Sequence, residues 1–380
     1  METQRNVLII GAGPAGLAAA DGAASRGASV TLCGAEPYAP YWRPRLTHYL
    51  SDPSDAASLA IRKPEWFSER GIVLLTNKAA VRIDTEQKTV HFSDGSVLPW
   101  DSLVLAPGAL PNLPNLPCEN TPLTLRSYDD AVRVRSATMA AGKAIVVGGG
   151  LLGLETAWEI NASGVKTTVI EIAPWLMPRQ LNKAAGNYLQ QRLEASGLEI
   201  MIGQNPQTCP AVYAGACVVT CAGVRADLSL VQDTAIAVGR CIQVDDHMRT
   251  SEAGIFACGD AAEFNGRSWG LMAVAQEQGK VAGINAAGGD AVYTETPPSP
   301  MLKVGAHSVF SVGDITEGDG VVSLSEETNT GYGCLMLRDG VLAGAVLVGD
   351  TKAGTKLKKA VSEKRSFSSA GSYADVMQQL

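Results

Sequence analysis

The sequence predicts an α/β protein with two Rossmann-like dinucleotide-binding domains and a small C-terminal α+β domain. Three observations lead to this prediction. A glycine-rich turn near the N-terminus lies between an apolar β-type run and an alanine-rich helical run, and the same arrangement returns after residue 140. The last part of the chain alternates short β-type runs with turns. The length of 380 residues also fits two or three domains of roughly 100–200 residues each.

The first copy of the repeated pattern begins with a predicted strand over Val7–Ile10. The turn Gly11-Ala12-Gly13-Pro14-Ala15-Gly16 follows, and a helical run begins at Leu17. A second strand is predicted over Ala28–Cys33. This βαβ unit has the size, about 30 residues, of a mononucleotide-binding half.

The second copy repeats the order of these elements. A strand is predicted over Ala144–Val147, and the turn Gly148-Gly149-Gly150-Leu151-Leu152-Gly153 follows it. A helix is predicted over Leu154–Asn161 and a further strand over Lys166–Ile170. Two such units in one chain indicate two nucleotide-binding domains.

The three glycines of each turn have different physical roles. The first permits the tight turn, the second lets backbone N–H groups approach a pyrophosphate, and the third lets helix and strand pack closely. The N-terminus of the helix then presents partial positive charge to the phosphates. A single motif in a chain with 40 glycines could equally be a plain tight turn. The strand-turn-helix context, found twice, favours two bound dinucleotides.

The residue after the second strand of each unit refines the ligand. Glu171 directly follows Lys166–Ile170, where a carboxylate binds a ribose 2′-hydroxyl and repels a 2′-phosphate. The second unit is therefore expected to prefer NADH over NADPH. The equivalent position of the first unit is Gly34, so the role falls to Glu36, two residues later. The alternative for Glu36 is a solvated loop acid.

These motifs resemble those of the two-dinucleotide flavoprotein reductases, which bind FAD in the first unit and NAD(P)H in the second. Further stretches share the resemblance: Tyr41-Trp42-Arg43-Pro44-Arg45-Leu46, Leu103–Gly108, Cys221–Arg225 and Thr250–Asp260. Within the family the chain is similar to the NADH:rubredoxin reductases, in which Pro298–Val304 and Gly354–Ala360 recur nearly as written. The resemblance extends over almost the whole chain.

The resemblance implies FAD and NADH as cofactors, and it assigns residues to them. Glu155 is expected to fix the nicotinamide carboxamide, although an acid favoured by the helix dipole is a competing interpretation. Arg43 and Arg45 are expected to touch the flavin or its phosphates, unless they are only surface charges. Glu155 and Arg43 are the expected catalytic residues. The expected cofactor-binding residues are Gly11, Gly13, Pro14, Ala15, Gly16, Glu36, Arg43, Pro44, Ala80, Ala106, Gly108, Gly148, Gly150, Leu151, Gly153, Glu171, Gly223, Gly259 and Asp260.

Proline-rich segments suggest the domain boundaries. An FAD-binding domain is predicted over residues 1–110 and 229–297, with an NAD-binding domain over 111–228 inserted into it. The segment Thr296-Pro297-Pro298-Ser299-Pro300 is the next expected linker. Residues 298–380 form the predicted C-terminal α+β domain, with strands over Ser308–Val312, Gly333–Leu337 and Leu342–Val348 and a helix from Lys356. This domain either caps the flavin or forms a dimer contact.

The eight cysteines show no C-x-x-C pair or zinc spacing, so they are expected to be reduced and mostly buried in a cytoplasmic protein. The loop from Tyr38 to Leu50, which carries a redox cysteine in disulfide-reducing relatives, has none. Electrons are therefore expected to pass directly from the flavin to an external acceptor. The four histidines, 48, 91, 247 and 307, have no catalytic or metal-binding partners at a recognisable spacing, and His247 is expected in a turn.

The resemblance implies an oxidoreductase that passes electrons from NADH through FAD to a small acidic iron–sulfur carrier, rubredoxin first. Two alternatives stay open: an electron-input flavoprotein for a nitrite- or nitric-oxide-reducing partner, and a slow-turnover NADH-sensing flavoprotein. The expected docking face, or otherwise a solvated helix face, comprises Lys352, Lys356, Lys358, Lys359, Lys364 and Arg365.

Composition and charge exclude other classes of partner. The formal net charge of -7 and the pI of about 5.3 argue against nucleic-acid binding. No run of 18 apolar residues occurs, so no membrane span is expected. A monomer and a homodimer are both compatible with the sequence.

Overall fold

The computed structural model describes residues 4–295, 301–368 and 370–380. The chain divides into two compact units. The first unit comprises Met1–Arg45, Ser54–Pro111 and Val224–Glu295, and the second comprises Leu46–Pro53, Asn112–Gly223 and Thr296–Leu380. The expected linker from Thr296 to Pro300 lies outside the described residues.

The described residues contain eight α-helices. Their bounds are α1 Pro14–Ala24, α2 Pro64–Glu69, α3 Tyr128–Ala141, α4 Leu151–Ala162, α5 Lys183–Ala195, α6 Met272–Ala286, α7 Gly354–Ser362 and α8 Tyr373–Gln379.

The strands number twenty-two in the same residues. Their bounds are β1 Asn6–Ile10, β2 Ser29–Cys33, β3 Ile72–Leu75, β4 Ala80–Asp84, β5 Thr89–Phe92, β6 Val97–Pro99, β7 Ser102–Leu105, β8 Ala109–Pro111, β9 Leu123–Thr124, β10 Lys143–Val147, β11 Lys166–Glu171, β12 Glu199–Ile202, β13 Cys217–Thr220, β14 Val224–Ala226, β15 Ile242–Val244, β16 Ile255–Ala257, β17 Ala262–Phe264, β18 Met301–Val304, β19 His307–Gly313, β20 Val321–Glu327, β21 Tyr332–Arg338 and β22 Val341–Val348.

The first unit is built on a five-stranded parallel sheet with the order β16-β7-β1-β2-β3. Strands β1 and β7 are buried almost throughout, as expected for central parallel strands covered on both faces. A three-stranded antiparallel sheet, β4-β5-β6, and the small pairs β8–β14 and β15–β17 complete the unit. Because β16 and α6 come from the end of the unit, the sheet is closed by residues that follow the inserted segment.

Helices α1 and α6 of the first unit approach each other unusually closely. A β-carbon placed on Gly279 would lie 2.2 Å from the Ala15 carbonyl oxygen, and one on Gly283 would lie 1.9 Å from the Ala19 carbonyl oxygen. Only hydrogen fits at these two positions, so the backbones pack directly on each other. This contact fixes the first turn of α1, which carries the first glycine motif.

The second unit contains another five-stranded parallel sheet, with the order β12-β11-β10-β13-β9. Helix α3 begins with a capping box, in which the Ser127 hydroxyl accepts from the Asp130 backbone N–H and the Asp130 carboxylate accepts from the Ser127 backbone N–H. Strand β10 is central and its last four residues are buried. The second glycine motif follows this strand.

The C-terminal part of the second unit is a five-stranded antiparallel sheet with the order β18-β19-β22-β21-β20. Its core includes Leu335, Leu347 and Phe310, against which Leu357 of α7 and Val376 of α8 are packed. The lysines of α7 lie on the opposite side of that helix and are exposed. An α+β tail with a basic outer face results.

The α/β fold class and the antiparallel tail are confirmed. Helix α4 begins at Leu151, three residues before the predicted start, because the helix grows directly from the glycine turn. The predicted domain boundaries stay predictions. In the part of the chain that the structure describes, no helix is long and apolar enough to cross a membrane.

Candidate functional site

The first glycine motif forms a tight cradle between β1 and α1. Gly11 has φ +108°, and its N–H donates to the Cys33 carbonyl oxygen at 2.8 Å. A β-carbon on Gly11 would lie 2.0 Å from the Ala106 carbonyl oxygen, and one on Gly16 would lie 1.8 Å from the Gly11 carbonyl oxygen. A β-carbon on Gly13 would meet nothing within 4 Å. The outer two glycines are therefore required by packing, whereas Gly13 faces open space at the start of α1.

Gly259 is brought to the same cradle by the end of the first unit. Its φ is +75°, and a β-carbon there would lie 2.8 Å from the β-carbon of Ala15. The buried Gln278 amide oxygen accepts from the Gly259 N–H at 3.0 Å and holds the turn in place. Half-buried Asp260 follows directly. The structure thus joins two motifs that are separated by more than 240 residues in the sequence.

Glu36 is held by the loop that follows it. The Tyr41 hydroxyl donates to one carboxylate oxygen of Glu36 at 2.6 Å, and the Arg43 guanidinium binds the other at 2.6 Å. Arg43 also lies over the Tyr41 ring, 5.2 Å from its centroid. The three predicted or adjacent residues therefore form one cluster, and Glu36 is not a freely solvated loop acid.

The second glycine motif repeats the geometry of the first. Gly148 has φ +116°, and its N–H donates to the Ile170 carbonyl oxygen at 2.8 Å. A β-carbon on Gly148 would lie 2.5 Å from the Cys221 carbonyl oxygen, and one on Gly153 would lie 1.9 Å from the Gly148 carbonyl oxygen. Gly150, like Gly13, would place a β-carbon in open space. The two cradles are structural equivalents.

The hydrogen bonds of the two cradles also show which residues after the second strand of each βαβ unit are equivalent. Gly11 bonds to Cys33 and Gly148 bonds to Ile170, so Gly34 and Glu171 occupy the same place. In the first unit, a β-carbon on Gly34 would lie 2.8 Å from that of Ala12. In the second unit, the Glu171 carboxylate fills this space. At this place the first cradle therefore has a glycine beside Ala12, whereas the second has a carboxylate beside Gly149.

Glu171 is buried and accepts two backbone hydrogen bonds. Gly149 N–H donates to Oε2 at 2.5 Å and Ala173 N–H donates to Oε1 at 2.7 Å. These bonds keep the carboxylate against the glycine turn, where the ribose of a dinucleotide lies in this fold. The geometry is compatible with the predicted NADH preference, which stays a prediction.

Glu155 lies in the first turns of α4 and is half-buried. Burial, and to a smaller extent the negative charge of Glu159, together raise the pKa of its carboxyl to about 7. Near neutral pH this side chain can therefore hold or release a proton, which an ordinary glutamate cannot do.

The remaining predicted residues lie in loops, at helix starts and in one separate strand. Gly108 and Gly223 both have positive φ, of +82° and +80°, in the loops that follow β7 and β13. Their carbonyl oxygens accept from Asp227 N–H at 3.1 Å and from Asn112 N–H at 3.0 Å. Ala80 begins β4, in the separate three-stranded sheet. Pro14 and Leu151 are the first residues of α1 and α4, and Arg43, Pro44 and Arg45 lie in the short 3₁₀ helix Arg43–Leu46.

All eight cysteines are free, four of them buried and four half-buried, so fewer are buried than predicted. Cys33 ends β2 and Cys258 precedes Gly259. Burial raises the pKa of each of these thiols to about 12, which keeps them protonated at neutral pH. The thiols beside the first cradle are therefore unsuited to carry electrons.

His247 lies in a turn, as predicted, within the group Asp245, Asp246 and His247 whose ligand atoms come within 4.8 Å of one another. Its Nδ1 lies 2.6 Å from Asp246 Oδ1 and its Nε2 lies 3.1 Å from Asp290 Oδ1. Both ring nitrogens already face carboxylates, so this cluster is satisfied by its own ion pairs.

Both cradles fit a dinucleotide by shape and chemistry. Each presents a helix start without a capping side chain, and each has a central glycine that leaves space for a phosphate. FAD would be held by Gly11, Gly13, Gly16 and Gly259, and NADH by Gly148, Gly150, Gly153 and Glu171. FAD and NADH would supply hydride chemistry there, and the chain supplies binding and orientation.

Sequence reasoning missed several residues that shape the site. Gln278 holds the Gly259 turn, and Gly279 and Gly283 allow the close approach of α6 to α1. The spacing Gly279-x-x-x-Gly283 is a readable signal of close helix packing, whereas no local pattern marks Gln278. His48 and Ser51 also meet Glu159 in the second unit, although Glu159 is more than 100 positions away in the sequence.

Comparison with family models gives two matches. Residues 5–279 match the pyridine nucleotide-disulphide oxidoreductase family, and residues 298–365 match the rubredoxin NAD+ reductase C-terminal domain. The first match covers both glycine cradles, and the second covers the antiparallel tail sheet and the whole of α7.

Individual relatives agree with these matches. The chain is 36% identical to the NADH-rubredoxin oxidoreductase of Clostridium acetobutylicum, over 98% of this chain and 99% of the relative. The crystal structure of NADH:rubredoxin oxidoreductase from that organism superposes with a TM-score of 0.91 at 35% identity, covering 100% of both chains. The nitrite reductase [NAD(P)H] of Bacillus subtilis is 31% identical over 96% of this chain, which spans only 48% of that relative.

Proposed function

The chain belongs to the pyridine nucleotide-disulphide oxidoreductase family, and from this membership we propose that it passes electrons from NADH through FAD to rubredoxin. It is an oxidoreductase that uses FAD and NADH. The observation that carries the proposal is the joint presence of two dinucleotide cradles and a tail that matches the rubredoxin reductase C-terminal domain. A full-length relative with the same arrangement is named for this activity.

The chemistry of the site supports transfer without a protein thiol. Cys33 and Cys258 are buried and their pKa values are raised to about 12, so neither offers a thiolate. The segment from Tyr38 to Leu50 contains no cysteine. Electrons then leave the enzyme directly to an external carrier, two of which are needed for each NADH because rubredoxin accepts one electron.

Site roles follow from the placement of the residues. Gly11, Gly13, Gly16 and Gly259 hold the FAD, with Glu36 and Arg43 beside it. Glu171 selects NADH, since its carboxylate meets a 2′-hydroxyl favourably and a 2′-phosphate unfavourably. Glu155 orients the nicotinamide.

The docking face is assigned to the outer side of α7. Lys356, Lys358 and Lys359 are exposed there, and Leu357 and Ala360 point into the core. A cluster of exposed positive charge suits an acidic carrier and compensates for the net charge of -7. The enzyme acts in the cytoplasm as a monomer or homodimer, without nucleic acid, and its free cysteines agree with a reducing compartment.

Electron supply to a nitrite-reducing partner is a second candidate, because the match to the Bacillus subtilis nitrite reductase extends over 96% of this chain. The antiparallel tail matches a rubredoxin reductase domain, which favours the first candidate. The third candidate function is that of a slow-turnover flavoprotein that senses NADH. Rapid reduction of the enzyme by NADH in stopped flow would exclude it.

The proposal is tested by an anaerobic NADH oxidation assay with purified FAD-loaded protein. Rubredoxin, a [2Fe–2S] ferredoxin, a nitrite-reducing partner and a small quinone are offered as acceptors at equal concentration. The highest kcat/KM is expected with rubredoxin. A higher value with the quinone or with the nitrite-reducing partner would overturn the assignment.

A further inference from the structure

Residues 46–53 belong to the second unit, although the residues on both sides of them belong to the first. This stretch, which we call the 46–53 segment, packs against α3 and α4. The Tyr49 and Tyr128 rings meet edge to face with centroids 5.4 Å apart, and the Arg135 guanidinium donates to the Leu50 carbonyl oxygen. Leu50 is fully buried. The segment therefore has a fixed place on the second unit.

Glu159 of α4 is the polar contact of this segment. The Ser51 hydroxyl donates to Glu159 Oε2, and His48 Nδ1 lies 3.5 Å from Glu159 Oε1. His48 Nε2 lies 3.8 Å from Asp52 Oδ2. The Glu159 side chain is 19% exposed, whereas those of His48 and Asp52 are 65% and 80% exposed. Polar groups thus lead stepwise from a shielded carboxylate to open solvent.

Glu155 lies one helical turn before Glu159 on the same face of α4. Residues four apart on a helix have β-carbons about 5–6 Å from each other, which is within reach for exchange through one water. Among the described residues, Glu159 is the charged group that acts on Glu155. His48 of the 46–53 segment faces Glu159, and Asp52 lies beyond it on the other ring nitrogen. Arg135 of α3 donates to the Leu50 carbonyl oxygen.

The reaction needs a route for one proton. A hydride carries two electrons and one proton, and two one-electron acceptors remove only the electrons. The balance is NADH + 2 oxidised acceptor → NAD⁺ + H⁺ + 2 reduced acceptor. One proton must therefore leave the enzyme for solvent each time NADH is oxidised. This requirement rests on the proposed function.

We propose that Glu155, Glu159 and His48 form a path within the second unit by which this proton reaches solvent. Glu155 takes the proton up and passes it to Glu159, from which it moves to His48 Nδ1. The proton on His48 Nε2 then leaves to Asp52 or to water. Ser51 is a positioning residue, because its hydroxyl fixes the Glu159 carboxylate toward His48. Glu159 and His48 act only through Glu155.

Three variants of the FAD-loaded protein test the path: Glu159→Gln, Ser51→Ala and His48→Ala. The matched control is His91→Ala, a half-buried histidine of β5 in the first unit. Enzyme reduced with one equivalent of NADH is mixed with ferricyanide in weak buffer containing a pH-indicator dye. Acceptor reduction and proton release are followed in the same stopped-flow record. Ferricyanide is a one-electron acceptor, so the proton test does not depend on recognition of rubredoxin.

In the parent and in His91→Ala, proton release is expected to keep pace with acceptor reduction. In Glu159→Gln and His48→Ala it should lag by about tenfold, below the 10²–10⁴ typical of a lost acid–base group because water partly bypasses the path. Imidazole should restore the rate of His48→Ala, since that position is open to solvent. Ser51→Ala should show a smaller lag. Synchronous release in both Glu159→Gln and His48→Ala would overturn the proposal.

A second measurement needs no turnover. The Glu155 carboxyl is titrated by ¹³C NMR in the protein without nucleotide, and Glu159→Gln should lower its pKa by about one unit, because a neighbouring negative charge is removed. An unchanged titration would show that the two carboxyls are not coupled and would also overturn the path. If the contacts between the 46–53 segment and Glu159 had only a structural role, the variants would melt at a lower temperature, and proton release would stay synchronous with acceptor reduction. Failure of rubredoxin alone, with ferricyanide behaving as expected, would count against the proposed function and not against the path.

Discussion

The Glu171 carboxylate accepts a hydrogen bond from the Gly149 backbone N–H at 2.5 Å, inside the second glycine turn. The same position in the first turn is Gly34, which carries no side chain. The two cradles share their backbone geometry and differ here in the presence of a carboxylate. It also places a negative charge where a dinucleotide ribose is bound in this fold.

Replacing Glu171 by glutamine should narrow the preference for NADH over NADPH by about tenfold, equivalent to about 1.4 kcal/mol. Glutamine keeps an oxygen that can accept from Gly149, while the repulsion of a 2′-phosphate is lost. The measurement is the rate of flavin reduction by each nucleotide in anaerobic stopped flow. Glu194→Gln, an exposed change on α5, is the matched control. Equal rates with NADH and NADPH in the unmodified protein would contradict the role of Glu171.

Gly283→Ala should destabilise the first unit by about 1–3 kcal/mol, the usual cost of overpacking. The new methyl group would lie 1.9 Å from the Ala19 carbonyl oxygen, so α6 must move away from α1. Thermal unfolding of the FAD-loaded protein, with the fraction of FAD retained, measures the effect. Gly318→Ala is the control, since its β-carbon would meet nothing within 4 Å. If both variants melted at the same temperature, the close contact would be refuted.

Glu155→Gln should stabilise the protein more at pH 8 than at pH 5. Burial raises the pKa of Glu155 from 4.5 to about 7, so the folded protein binds more protons than the unfolded chain. Stability is therefore lost as the pH rises from about 4.5 to 7, and glutamine removes this loss. After allowance for partial exposure, about 2 kcal/mol of pH-dependent difference is expected.

Calorimetry of the parent and Glu155→Gln at several pH values tests this, with Glu194→Gln as the control for a simple loss of charge. A gain that is independent of pH would mean that Glu155 has an ordinary pKa.

Thiol alkylation should leave NADH-dependent dye reduction largely intact. Cys33 and Cys258 are buried and protonated, because burial raises their pKa values to about 12. Dithionite titration should also produce no long-wavelength thiolate–flavin charge-transfer band, in the parent as in Cys33→Ala. Such a band in the parent that disappears in Cys33→Ala would show a participating thiol.

The triple change Lys356→Glu, Lys358→Glu and Lys359→Glu should slow rubredoxin reduction at low salt, without affecting flavin reduction by NADH. Exposed charges steer encounter and are screened over about 8 Å at physiological ionic strength, so the difference should shrink as salt is added. The control is Lys63→Glu, Lys183→Glu and Lys280→Glu, which changes the net charge equally at exposed positions outside α7. Equal slowing by both triples would place the docking face elsewhere.

The glycine cradles could be predicted because their requirements are local. Gly11 and Gly148 need positive φ, and Gly16 and Gly153 leave no space for a β-carbon, so glycine spacing alone marks the turn. The position of Glu171 also follows from its distance to the turn along one βαβ unit. Such features depend on residues within about 30 positions of each other.

Contacts between distant segments could not be read from the sequence. His48 meets Glu159 only because the 46–53 segment packs on α4, and no periodicity records that docking. The solvated-acid alternative for Glu36 likewise stayed open in the sequence, because the bonds from Tyr41 and Arg43 to its carboxylate depend on how the loop folds. The half-buried state of four cysteines likewise depends on neighbours supplied by other elements.

The first sheet can close only late in synthesis, because its last strand and the helix that packs on α1 follow the inserted segment in the sequence. Strand β7 pairs with β1 on one side and with β16 on the other. Helix α1 packs against α6. Both β16 and α6 are synthesised after the inserted segment. Residues 112–223 must be made before either partner exists, which takes roughly 6–22 seconds at 5–20 residues per second. During that interval the hydrogen-bonding edge of β7 and the small-residue face of α1 stay uncovered. An unpaired strand edge and exposed apolar surface favour association with other chains, so this stage of synthesis is prone to aggregation.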